Sequence, residues 1–393
     1  MYIDISAVAR TDLKTGIERV VRAVLMELIR NPPSGYDIKP VYLDAEGHRI
    51  IYRHARQYMA NLIGEDDMLV LDEIVEPQHG DIFLGVDLYA RGVVQAAHNG
   101  LYEEWRAKGV SIHFIVYDLL PVQRPDVFPP GTDKIHEEWL KSIAIASNSL
   151  ICISRSVADE LQEWLRSNAL TNAENLLIGS FHLGADVAAS MPSVGLPVDA
   201  QTLLKHINAG RTFLMVGTIE PRKGYLQVLE AFSSLWEHGI EINLVIVGHE
   251  GWTTLPDDQR RTIPLIISKL RNHSENDRHL FWLEGISDEY LEKIYDASDC
   301  LIAASEGEGF GLPLIEAAQH KMPIIARDIP VFRELAGEHA FYFSGLAPEN
   351  LADAVTTWIA LNQKDIHPKS DSMHYLTWRE SVIQLKDRLN LMM

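Results

Sequence analysis

One pattern constrains this chain more than any other. A short apolar run stops at a loop carrying glycine, and helical periodicity begins directly after it. Met1-Tyr2-Ile3-Asp4-Ile5 leads to Gly16, after which Ile17, Val20, Val21, Val24, Leu25 and Leu28 share one helix face. The run 212–216 leads to Gly217-Thr218-Ile219-Glu220-Pro221-Arg222-Lys223-Gly224, and a helix is expected from Tyr225 to Trp236. Cys300-Leu301-Ile302-Ala303-Ala304 leads to Ser305-Glu306-Gly307-Glu308-Gly309-Phe310-Gly311, with Leu312-Pro313 opening the next helix. Proline is tolerated there because the first helical turn has no use for its N–H. Strand, loop, helix in repeated order gives α/β architecture with doubly wound parallel sheets, whose ligands lie at the carboxyl ends of the strands. Free N–H groups and the helix dipole make each such loop a candidate anion site.

The alternation runs the length of the chain. In the first half strands are expected at 38–43, 68–71, 81–85, 112–117 and 149–153, and helices at 90–108, 133–147 and 155–168. In the second half strands are expected at 242–247, 279–284, 299–304, 324–326 and 341–343, with 350–361 as cover. The last helix is expected over 374–391, its apolar face running through Trp378, Val382, Leu385 and Leu389. Residues 187–208 are rich in Pro, Ala, Ser and Gly and read as a linker. A length of 393 residues suits two domains, here 1–190 and 208–373.

Charge removes some functions. With 35 basic and 55 acidic residues the net charge is −20, which argues against nucleic acid as a partner. No run reaches the roughly 20 apolar residues of a membrane helix, and the first residues form a strand rather than a signal, so a cytoplasmic protein is expected. Cys152 and Cys300 lie in apolar runs without metal-ligand spacing, and no Asp-x-Asp occurs. The loop at Gly307 is not a G-x-G-x-x-G, because Leu312 takes the third slot, and no phosphate-loop Gly-Lys motif is present.

The chemistry gathers around the loop at 305–311. Its glycines let a ligand approach the backbone. Glu308 within it and Glu316 beyond it would oppose a phosphate, but an ionised carboxylate accepts sugar or ribose hydroxyls well. The alternative is a pair of solvated acids. Arg222 and Lys223 supply a guanidinium fork and a compact charge, both suited to a diphosphate; the alternative is a solvated basic turn. Asp118 ends the apolar run 112–117 and reads either as a site residue or as a capping acid. His182, in 176–186, either faces a cleft between domains or is structural.

Glu308 and Glu316, with Asp328-Ile329-Pro330-Val331-Phe332-Arg333-Glu334, resemble the E-x7-E signature region of retaining glycosyltransferases of family 4. Residues 281–343 are similar to bacterial mannosyltransferases that build O-antigen. The resemblance implies a GT-B fold, two Rossmann-like domains facing a central cleft, with the final helix crossing back to the first. It places Glu308 as the catalytic-site acid on the transferred sugar and Glu316 on the ribose. Arg222 and Lys223 would take the diphosphate without a metal. Gly16 would close over the donor, Gly309, Phe310, Gly311 and Leu312 would line it, and Gly285 and Ile286 would lie beside its base. Relatives often carry His-Asp where this chain has Tyr117-Asp118, so Asp118 keeps its catalytic-site position while Tyr117 replaces the histidine. The implied donor is GDP-mannose and no further cofactor is required. The implied acceptor is a growing O-antigen-type glycan, lipid-linked, reached by a peripheral protein at the inner membrane face through a partner. Three other readings stay open: a rhamnosyl- or glucosyltransferase using dTDP- or UDP-sugar, a sugar-nucleotide epimerase, and a non-catalytic nucleotide-sugar-binding subunit of a polysaccharide assembly complex.

Overall fold

The computed structural model describes residues 1–11, 16–46, 49–62, 71–170, 176–186 and 193–390. Two sheets organise it. The first has the strands Tyr2–Asp4 (β1), Lys39–Glu46 (β2), Arg49–His54 (β3), Ile82–Gly85 (β4), Ser111–Val116 (β5), Ser149–Cys152 (β6) and Leu177–Ser180 (β7). Their order is β3-β2-β1-β4-β5-β6-β7, parallel throughout except for β3, which runs antiparallel to β2 at the edge. The second has Thr212–Val216 (β8), Asn243–Val247 (β9), Leu280–Leu283 (β10), Cys300–Ala303 (β11), Ile324–Arg327 (β12) and Phe341–Phe343 (β13), ordered β10-β9-β8-β11-β12-β13 and all parallel. Helices cover both faces of such sheets, so the central strands are continuous apolar runs rather than alternating ones. Leu244-Val245-Ile246-Val247 in β9, buried at every position, is a clear case.

The order reverses between β1 and β4 in the first sheet and between β8 and β11 in the second. Crevices at such switch points are where doubly wound sheets bind ligands. The loops 217–224 and 305–311 follow β8 and β11, so the cationic and the glycine-rich loop flank one switch point.

Several elements differ from the sequence expectation. The stretch 90–108 is two helices, Ala90–His98 and Leu101–Ala107, parted at Gly100, whose φ of 73° only glycine adopts readily. β3 and the short helix Arg56–Leu62 had no counterpart in the pattern, and neither did β7. The expected strand 68–71 lies almost wholly outside the described residues. The helix Ala200–Ala209 begins within the stretch read as linker and packs on the helix Asp288–Ala297 of the second half. The first strand is Tyr2–Asp4, shorter than the apolar run at the start of the chain, and the last helix is Trp378–Arg388.

That last helix lies against the first half. It packs on the helix Gly16–Arg30 and on β7, and Arg388 Nε donates to the Ser180 carbonyl at 2.9 Å. The two passages of chain between the halves run side by side. Ala185 N donates to the Leu376 carbonyl at 2.8 Å, and Trp378 N to Asp186 Oδ1 at 2.5 Å. One apolar cluster is continuous through both halves, joining Ile3, Ile5 and Phe181 to Leu301, Phe310 and Trp378. The halves therefore share a core near the cleft, while each also keeps its own.

Candidate active site

The loop 305–311 is pressed against the first half. A Cβ on Gly309 would meet the Tyr117 carbonyl oxygen at 2.0 Å, so only glycine fits where the loop crosses the end of β5. Ser154 Oγ donates to the Gly309 carbonyl at 2.8 Å, and the Phe310 ring packs edge-on to His182 with centroids 5.6 Å apart. Gly311 precedes the helix Leu312–Gln319, which carries Pro313 in its first turn and Glu316 in its second.

Glu308 turns inward, onto the cations. Arg222 Nη1 donates to Glu308 Oε2 at 2.9 Å, Lys223 Nζ donates to Glu308 Oε1, and Ser305 Oγ donates to the same oxygen at 2.7 Å. Burial alone pushes the Glu308 carboxyl up, but Lys223 and Arg222 outweigh it and hold the group at about 2. Arg222 also donates to the Gly307 carbonyl at 3.2 Å. Its Nε lies 3.1 Å from Glu220 Oε2, close enough to pair in charge but outside hydrogen-bond geometry. The two cations come from a tight turn, Pro221–Lys223, closed by Gly224 at φ 81°. A Cβ on Gly224 would meet the Ala304 carbonyl at 2.5 Å, so the turn is seated directly on the end of β11. Sequence separation of about 85 residues collapses to one cluster: Arg222, Lys223 and Glu308, with Glu220 at its margin.

Glu316 is 4% exposed and has its own partners. Arg19 Nη1 donates to Oε1 at 2.6 Å, and Tyr295 OH donates to Oε2 at 2.8 Å. Arg19 stands in the first turn of the helix Gly16–Arg30, so this ion pair crosses between the halves. Gly16 does open that helix, and a Cβ there would touch nothing within 4 Å, so packing does not demand a glycine. Gly285 follows β10 with φ 64°, beside the His249 ring, and Ile286 packs on the shared core. Ser287 then caps the helix Asp288–Ala297, accepting from Tyr290 N at 3.1 Å.

Asp118 lies at the end of β5, and its Oδ1 accepts from Leu120 N two residues on at 3.0 Å. It also lies in the electrostatic field of Arg222, and His136 Nε2 sits 3.1 Å from its carbonyl oxygen. The Tyr117 hydroxyl points away, donating to the Val86 carbonyl at 2.6 Å inside the first half. Tyr117 therefore offers its backbone, not its phenol, to the cleft.

Further contacts close the cleft, His182 and Glu334 named from the sequence and others that it did not single out. His182 Nε2 lies 2.7 Å from Glu334 Oε1. Glu334 accepts from Arg155 N and Ser156 N, both at 2.8 Å, and from Ser156 Oγ at 2.7 Å, at the start of the helix Arg155–Ser167. Burial opposes its charge, yet His182, Ser156 and those N–H groups hold the Glu334 carboxyl at about 2. Arg261 donates to the Phe128 and Pro125 carbonyls at 2.6 and 2.9 Å, and Arg124 pairs with Glu306 at 3.1 Å. On the first sheet, Asp87 accepts from Ala7 N and Val8 N at 2.7 and 2.8 Å and anchors the loop after β1. Among the described residues no three His, Cys, Asp or Glu side chains gather as metal ligands, and no helix is long and apolar enough to cross a membrane.

Residues 204–372 match the family Glycosyl transferases group 1. The chain is 44% identical over 384 residues to a serotype-specific mannosyltransferase WbdA of Escherichia coli, covering 97% of this chain and 45% of that protein. It thus spans a little under half the length of these relatives. An O-antigen chain mannosyltransferase B of the same species is 26% identical over 49% of the chain and 46% of its own length. Among solved structures, Anabaena HepE in complex with UDP and glucose superposes with a TM-score of 0.64 over 99% of this chain and 98% of that one, at 14% identity. The catalytic domain of Arabidopsis thaliana starch synthase IV gives 0.63 over the same shares, at 15% identity. The two parallel-sheet, Rossmann-like halves are those of the GT-B glycosyltransferases.

Proposed function

We propose that this chain is a group 1 glycosyl transferase, the family that residues 204–372 match, and that it moves a mannosyl unit from GDP-mannose to a hydroxyl of a growing O-antigen-type glycan, with retention at the anomeric carbon. The observation that supports this reading is the pair of loops at the second switch point, where Arg222 and Lys223 stand against the glycine-rich loop and its Glu308. The kinship to mannosyltransferases over 97% of the chain supports the choice of sugar.

In this reading the bond from the sugar carbon to the diphosphate oxygen breaks, and the acceptor oxygen bonds to that carbon from the same face. The acceptor proton passes to the departing oxygen. Charge growing on the diphosphate is met by Arg222, Lys223 and the N–H groups ahead of the helix Leu312–Gln319, with no metal required. Glu308, released from the cations as phosphate takes them, accepts from the sugar hydroxyls. Glu316 accepts from the ribose, and Gly285 and Ile286 border the base. Contact between the halves excludes water, so an alcohol rather than water receives the sugar. The acceptor would be lipid-linked and the protein peripheral at the inner membrane face.

The test is nucleotide release from GDP-mannose with and without a mannose-terminated oligosaccharide. Acceptor-dependent release of GDP is the expected result. Acceptor-independent formation of an epimer, or binding of GDP-mannose without turnover, would overturn transfer. Release from UDP- or dTDP-sugars alone would overturn the donor and leave the reaction standing.

A further inference from the structure

We propose that Arg19 is a positioning residue of the donor site: from the first half it orients the Glu316 carboxylate, so that recognition of a vicinal diol on the nucleotide requires both halves. This rests on the reading of Glu316 as the ribose acceptor.

Each Glu316 oxygen carries one fixed bond, from Arg19 Nη1 at 2.6 Å and from Tyr295 OH at 2.8 Å. The Tyr295 hydroxyl is itself immobilised. Its ring lies flat on His320, centroids 5.0 Å apart and 7° from parallel, and His320 Nδ1 is 2.6 Å from Asp296 Oδ1. A carboxylate has about four lone-pair positions, so two oriented bonds leave one on each oxygen. One free acceptor position on each of two adjacent oxygens suits the two neighbouring hydroxyls of ribose.

Burial makes Arg19 necessary to that arrangement. A carboxylate with 4% exposure needs an opposite charge, and Tyr295 supplies none. The Arg19 side chain is only 16% exposed and its Nε has no hydrogen-bond partner, so the guanidinium is committed to this contact by packing rather than by a wider network. Asp288, at the first turn of the helix following Gly285, also acts on it electrostatically. A plain tie between the halves would not need this residue. Glu334 on the helix Arg155–Ser167, Arg261 on the 125–128 carbonyls and Arg124 on Glu306 already make that connection.

The experiment compares GDP with 2′,3′-dideoxy-GDP by calorimetry; UDP and its dideoxy analogue are used if that is the diphosphate that binds. The proteins are wild type, Arg19→Ala, Arg19→Lys, Glu316→Gln and the double variant Arg19→Ala/Glu316→Gln, each with its melting temperature. Wild type should prefer the ribonucleotide by roughly tenfold or more, the worth of one good charged hydrogen bond. Arg19→Ala should lose most of that preference, Arg19→Lys should keep part of it, and the double variant should match Glu316→Gln alone. Donor KM should rise in Arg19→Ala more than kcat falls. Arg19→Ala that retains the wild-type preference, or lowers both affinities equally with its melting temperature, overturns the proposal while Glu316→Gln still abolishes the preference. If Glu316→Gln keeps the preference, the ribose reading fails and Arg19 falls with it.

Discussion

Replacing Glu308 by Gln removes the negative charge between two cations, and its size follows from the structure. A unit pair at the observed 2.9 Å separation from Arg222 attracts by about 6 kcal/mol at an effective dielectric constant near 20. Desolvation of the buried groups takes back part of this. The carboxyl held at about 2, against an ordinary 4.5, corresponds to a net of about 3 kcal/mol. Losses of 3–5 kcal/mol are typical when one partner of a buried pair is removed. Because the folded value is depressed, this stabilisation is present above pH 4.5 and fades as the pH falls through 2. Urea unfolding should therefore show Glu308→Gln less stable by about 3 kcal/mol at pH 7 but only about 1.5 kcal/mol at pH 3. The same substitution frees Arg222 and Lys223, so GDP should bind more tightly while sugar transfer falls sharply. A loss below about 1 kcal/mol at pH 7, or one equal at both pH values, would refute the ion cluster as described.

Chelation offers a second check: transfer should survive excess EDTA, and rescue of a chelated enzyme by Mg²⁺ or Mn²⁺ would contradict leaving-group stabilisation by Arg222 and Lys223. Lys223→Ala should weaken GDP binding roughly tenfold and also cost about 1–3 kcal/mol of stability, since Lys223 is 15% exposed and its loss leaves Glu308 under-paired. Unchanged melting and calorimetry would place both the salt bridge and the diphosphate elsewhere. Glu334→Gln should cost about 1–2 kcal/mol at neutral pH by weakening the acceptor at the start of the helix Arg155–Ser167, and the cost should shrink as pH falls from 4.5 toward 2. A pH-independent thermal shift would contradict the charge-based account.

The strand–loop–helix punctuation was legible because glycine, proline and apolar runs impose local conformations wherever they occur. Thr212–Val216, the turn at Arg222-Lys223 and the helix at Leu312 all lie within a residue or so of their expected places. Pairing between distant charges was not legible. Nothing local in Glu308 says that it will face Lys223 rather than solvent, and an exposed basic turn was the alternative reading until β8 and β11 came side by side. Arg19 had a weak signal, a cation one turn after Gly16, but an arginine on an amphipathic helix ordinarily marks the wet face. The helix Ala200–Ala209 was missed because its surroundings are rich in Pro and Gly, although Leu203, Leu204 and Ile207 carry helical spacing. The break at Gly100 was readable from His98-Asn99-Gly100, a helix-terminating sequence overridden by the apolar period on either side.

The most direct measurement of the central claim is the proton NMR spectrum of the chain acting on GDP-mannose and a mannose-terminated oligosaccharide. Mannose is α-linked in GDP-mannose, so retention requires a new α-anomeric signal on the lengthened acceptor, growing in step with GDP. A β-anomeric signal would contradict retention. Free mannose in place of lengthened acceptor would contradict transfer to a glycan.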